Sequence, residues 1–223
     1  MNLSRFYVFV LGFLLLASVR ASASHVYGAD FYYTFVSGTT YTITMDIYGD
    51  CGGGSFSTLT AATPEVQIKN GTTVVATVYL SLTGTPTDVT PVCPAQSGNT
   101  RCATTSTTLP GVKKYTYTAN YTLGSASANW VFKFTGDHVN STAGRSGAIT
   151  NIFSLSTTVL EAALNNVPGP NSSVIHTTIP TPFYCINKPA QFNPGAVDPN
   201  LDSLSYALVT GLSRPGTVSY LTG

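Results

Sequence analysis

The residues most able to do chemistry lie near the end of the chain. Asp198, Asn200 and Asp202 alternate in a Pro- and Asn-rich loop, and oxygen ligands at such spacing are what Ca²⁺ takes. Calcium is the one cofactor the residues suggest. Leu201 stands where a calcium loop turns on Gly, and no bidentate Glu follows downstream. The competing expectation is a turn capped by Asx side chains.

Other chemistry finds less support. Asp137 and His138 are adjacent, which on a strand sends them to opposite faces, so they do not form a dyad there. His176 falls in a polar, linker-like stretch and carries no expected chemical role. No nucleophile elbow, H-E-x-x-H or P-loop occurs, and the 9 acids are scattered. The expectation is a protein without catalytic activity. With 10 basic residues against 9 acidic ones there is no excess of positive charge to neutralise phosphates, so no nucleic-acid partner is expected.

Aromatic side chains offer a binding surface instead. Tyr27 and the run Phe31-Tyr32-Tyr33 could supply a platform for sugar rings. Alternation sends Phe31 and Tyr33 to one face, expected to be core, and leaves Tyr32 on the other as the candidate ligand contact.

The start of the chain reads as an export signal spanning 1–23. Arg5 precedes an apolar run from Phe6 to Ala17, too short to span a bilayer comfortably, and Ala21-Ser22-Ala23 offers small residues for cleavage between Ala23 and Ser24. Removing it takes Arg5 and Arg20 away, leaving 10 − 2 = 8 basic residues against 9 acidic ones. The expected location is secreted or at the cell surface, with no membrane span in the mature chain.

In an oxidising compartment the four cysteines, Cys51, Cys93, Cys102 and Cys185, are expected to form disulfides. Three pairings are possible. Cys93 with Cys102 is the easiest to argue, because Pro94, Ser97, Gly98 and Asn99 supply a turn between them, and Cys51 with Cys185 then remains. A zinc site lacks any C-x-x-C pair. The N-x-S/T sequons at Asn70, Asn120, Asn140 and Asn171 would be glycan acceptors in a eukaryotic secretory pathway.

Period-two patterning predicts strands that hold these residues. Tyr41, Ile43, Met45 and Ile47 alternate with Thr42, Thr44, Asp46 and Tyr48. Tyr115, Tyr117, Ala119, Tyr121 and Leu123 alternate with Lys114 to Thr122. Val66 and Ile68 precede Asn70-Gly71, expected as a type I′ hairpin turn, and Val74, Ala76, Val78, Leu80 and Leu82 follow it. Trp130, Phe132 and Phe134 read as core. Val159 to Leu164 has helical propensity, but the all-β context makes it a strand. The expected fold is an all-β, immunoglobulin-like sandwich over 24–165 with little helix. A linker over 166–181 then leads to the start of a second cadherin- or immunoglobulin-like module at 182–223, with Phe183, Tyr184, Phe192, Leu204, Tyr206 and Leu208 as its apolar positions. Forty-odd residues are too few for a sandwich core, so this module is expected to be truncated.

Two stretches carry a family resemblance. Ser24-His25-Val26-Tyr27-Gly28-Ala29-Asp30, followed by a strand ending Tyr48-Gly49-Asp50-Cys51, is similar to the opening of large secreted surface proteins of Bacteroidota. Asn193 to Tyr206 resembles the segment that opens their cadherin-like modules. The family has Arg at the position of Gly49, Gly at that of Leu201, and a Cys-Cys-Arg-Asn run where Gly136 to Arg145 stands here. The resemblance implies a multidomain, adhesin-like cell-surface protein of the gliding-motility-associated type, with other surface proteins or extracellular glycans as partners. The alternative is a carbohydrate-binding module of a secreted polysaccharide-degrading system.

Overall fold

A computed structural model describes residues 26–52, 59–60, 62–139, 157–179, 189 and 191–214. The cleavage site Ala23/Ser24, His25, Phe183, Tyr184 and Cys185 lie outside them, as do the side chains of Asp137 and His138.

The alternating tracts form the expected strands, in two antiparallel sheets. The first contains β1 (Val26–Ser37) and β2 (Thr40–Asp50); the second contains β3 (Pro64–Asn70) and β4 (Thr73–Tyr79). Short β5 (Ser81–Leu82) and β6 (Thr87–Asp88) return to the first sheet beside β7 (Val112–Thr122). β8 (Trp130–Val139) joins the second sheet. β9 (Thr157–Thr158) leads into β10 (Leu160–Leu164), which pairs with β8, so the ambiguous 159–164 stretch is indeed a strand. Pro94–Asn99 forms a short 3₁₀ helix.

The first sheet runs β1-β2-β7-β5, and the second β10-β8-β3-β4. One core lies between them. Tyr33, Tyr41, Ile43, Met45, Ile47, Tyr115 and Tyr117 from one sheet meet Val66, Ile68, Trp130, Phe132, Phe134 and Leu164 from the other. Tyr33 sits edge-on to Tyr41 with centroids 5.8 Å apart and 5.1 Å from Phe132, contacts that favour one sheet alignment.

Turn chemistry refines the expectation at the β3–β4 hairpin. Asn70 pairs with Thr73, so the loop is Gly71-Thr72, with Gly71 at φ 59° in the first central position. That is where a type II′ turn needs glycine, and Asn70 ends the strand instead of entering a type I′ turn. Ser37 and Thr40 close the β1–β2 hairpin in the same way around Gly38, φ 57°. A bulge opposite Ile68/Lys69 shifts the phase of β4, leaving Val74 exposed although its alternation predicts burial.

Part of the stretch expected as a linker is docked on β1. Tyr33 N–H donates to Ser173 Oγ (2.8 Å) and Phe35 N–H to Ser172 Oγ (3.1 Å), while Ser173 N–H donates to Tyr33 O (2.9 Å). The 171–176 segment thus forms a strap along the outer edge of β1. It includes β11 (Ile175–His176), which pairs with β12 (Ala196–Val197), and β13 (Ser213–Arg214) pairs with β9. The apolar positions predicted for a second module make no core among the described residues: Phe192, Tyr206 and Leu208 are all exposed.

Candidate functional site

β2 lies between β1 and β7, and its odd residues enter the core, so its even residues form the outer face. Most of this face consists of hydroxyls and amides. Thr40 and Thr122 hydroxyls share a hydrogen bond of 2.8 Å, Thr42 donates to Asn120 Oδ1 at 2.7 Å, and Thr83 and Thr118 share one of 2.6 Å.

Toward the other end of β2 the face becomes ionic. Register places Asp30 of β1 directly opposite Asp46 of β2, an arrangement that costs stability unless both carboxylates find partners. Both do. Asp30 accepts from the Tyr48 hydroxyl at Oδ2 (3.0 Å) and faces His176 Nδ1 at Oδ1 (3.3 Å). Asp46 accepts from the Thr116 hydroxyl at Oδ1 and from Lys114 Nζ at Oδ2 (3.4 Å). All four carboxylate oxygens are therefore occupied. Asp46 is buried, with 7% of its side chain exposed, although it sits on the outer face.

Tyr32, the expected ligand contact, belongs to this cluster and opposes Thr44 in the register. Burial first, then the Asp46 carboxylate, push its phenol up to about 12. Burial followed by Asp30 pushes Tyr48 up as well, so both phenols stay protonated and able to donate at neutral pH. Phe31 and Tyr33 face the core, as alternation predicts.

The end of β2 is closed by a disulfide that corrects the expected pairing. Cys51 joins Cys102 with Cα atoms 5.0 Å apart, and Cys93 is an exposed free thiol. The predicted turn after Cys93 exists as the 3₁₀ helix Pro94–Asn99, yet Cys102 beyond it bonds Cys51. Cys51 N–H donates to Gly111 O (3.0 Å) and Arg101 N–H to Leu109 O (2.9 Å), so the β2–β7 ladder and the folded 100–111 loop bring Cys102 to Cys51. The expected Cys93–Cys102 bridge and its complement Cys51–Cys185 are both excluded by this bond.

The calcium candidates form the Asx-capped turn. Asp198 Oδ1 accepts from Asn200 N–H (2.7 Å) and Asp202 N–H (3.3 Å), and Leu201 N–H returns to Asp198 O (3.1 Å). The Asn200 side chain turns elsewhere, with Oδ1 accepting from Ser172 N–H at 2.8 Å. The three side chains do not converge, because one caps its own loop and another holds the strap. No group of three His, Cys, Asp or Glu residues able to hold a metal occurs among the described residues. The turn and strap border an open cavity of about 350 Å³ lined by Phe31, Tyr33, Glu161, Asn171 and Asp198, among others.

Leu201 has φ 66° and is 89% exposed, so it bears left-handed backbone strain without burying its side chain. Leu201→Gly should stabilise this turn by about 1 kcal/mol and slow exchange of the Ser172 and Asn200 amides roughly fivefold. Unchanged amide exchange would contradict that expectation.

Sequence reasoning missed the partners of this face. Asp46 in a strand otherwise alternating between apolar and Thr or Tyr residues was a signal, but its opposition to Asp30 depends on register. His176 was passed over because its partner is far away in the chain. The class defined by these features is an all-β, two-sheet sandwich with a self-paired polar face and a disulfide at its rim. No family model, curated protein or solved structure matches the chain.

Proposed function

We propose that this chain is a secreted, non-catalytic structural and adhesion module of a cell-surface protein, immunoglobulin-like in type, exported by its first 23 residues. The observation that carries the reading is the saturation of the Asp30/Asp46 cluster. His176, Tyr48, Thr116 and Lys114 each meet one carboxylate oxygen of the pair, so the two acids serve as a brace between neighbouring strands. The cluster ties β1, β2, β7 and the strap together. The disulfide at the rim suits an oxidising exterior.

The test is surface exposure in the source cells. Intact cells treated with an impermeant thiol reagent and an external protease should show Cys93 labelled, Cys51 and Cys102 protected until reduction, and the chain cleaved from outside. Protection of the whole chain until lysis would refute the reading. Retention on immobilised glycans that disappears in Tyr32→Ala would instead identify a carbohydrate-binding module.

A further inference from the structure

A β-sandwich has sheet edges that must be kept from pairing with other chains. Here β1 is covered by the strap, which takes the Tyr33 and Phe35 amides. β5 and β6 are two residues each. β10 is only five residues long and carries Glu161, ion-paired with Lys133. β4 is different. Its seven residues, Thr-Val-Val-Ala-Thr-Val-Tyr, contain no charge, proline or glycine, and it ends its sheet with no further strand beside it among the described residues. Val74 and Val75 are each 47% exposed and Tyr79 59%. Uncharged, β-branched segments of this kind pair readily with copies of themselves.

We propose that β4 is a self-association edge, joining two copies of this chain antiparallel about a two-fold axis at Thr77. The ladder sets the register. Leu80 N–H bonds Pro64 O on the β3 side (2.9 Å), so by alternation Thr77 and Tyr79 turn their N–H and C=O away from β3. A two-fold at Thr77 sets Thr77 opposite its copy and Ala76 opposite Val78, and brings Tyr79 to Val75, the residue that the bulge adds. These include β-branched and aromatic–β-branched pairs, the favourable cross-strand classes, and no charge opposes its own copy. The occupant is a second copy because the segment complements itself without any charge that a different partner would have to match. The bulge at Val75 confines regular pairing to about three residues, so the contact is small and the dimer weak, suited to molecules crowded on a surface.

The experiment is sedimentation of the purified chain from roughly 10 µM to 1 mM, the range appropriate to a small interface. A concentration-dependent dimer is expected. Thr77→Lys places two like charges on the two-fold and should weaken association at least about tenfold, while Ala126→Lys, at an exposed position on the β7–β8 connection, should not. Unchanged near-ultraviolet circular dichroism shows that Thr77→Lys is folded. In a Cys93→Ser background, Thr77→Cys should cross-link under mild oxidation, because residues in a hydrogen-bonded antiparallel pair lie about 5.5 Å apart, within disulfide reach. A chain monomeric throughout that range, a dimer indifferent to Thr77→Lys, or absence of the Thr77→Cys cross-link would overturn the proposal.

Discussion

Replacing Cys51 and Cys102 together with serine is expected to lower stability by about 4 kcal/mol. The bond joins residues separated by 51 positions, and releasing a loop of that length returns to the unfolded chain the closure entropy the cross-link removes. Urea denaturation of the variant beside the wild type, oxidised and reduced, measures the effect. The reduced wild type should match the double variant, because both lack only the cross-link. A loss below about 1 kcal/mol would mean that the β2–β7 ladder already keeps the two ends together in the unfolded ensemble.

The second large effect is expected in alkali. Tyr32 and Tyr33 are each pushed up to about 12, with burial the leading cause for both, against about 10 in an unfolded chain. Burial raises Tyr48 and Tyr117 in the same direction. A phenol raised on folding stabilises the native state while the unfolded chain also keeps its proton. That contribution is complete below about pH 10 and is lost as pH rises toward about 12, because the unfolded state then binds fewer protons than the native one. Stability should therefore fall steeply across this window, and the share of phenolate absorbance that comes from these buried tyrosines should appear together with unfolding. Tyr32→Phe should make the fall shallower by removing one of the linked protons. Stability that stays level through pH 12 would refute the linkage.

These two effects also show what a single sequence can reveal. Alternation along 31–33, 41–48 and 114–123 is local, and it correctly placed Ile43, Met45, Tyr115 and Tyr117 in the core and Asp46, Tyr32 and Lys114 on the opposite face. Pairing is not local. Asp30 opposite Asp46 is legible only once the register is known, and His176 meets Asp30 only because serines of the strap take amides on the edge of β1. Cys102 was assigned to Cys93 because the intervening turn is visible in sequence, whereas the ladder that brings Cys51 to it is not. The bulge in β4 reversed the expected burial of Val74 for the same reason: nothing in the run of valines marks the extra residue. At Asp198 the Asx-capped turn was among the readings of the residues, and the backbone amides of Asn200 and Asp202 select it.

The hydroxyl ladder of β2 and β7 has a consequence for where such a protein can work. Bonds between Thr40 and Thr122, Thr42 and Asn120, and Thr83 and Thr118 join neutral groups. Dissolved ions screen attractions between exposed charges within about 10 Å at 0.1 M, but they have little hold on a neutral hydroxyl pair. A sheet dressed in lysine and glutamate loses cross-strand attraction as salinity rises; the hydroxyl-paired end of this one does not.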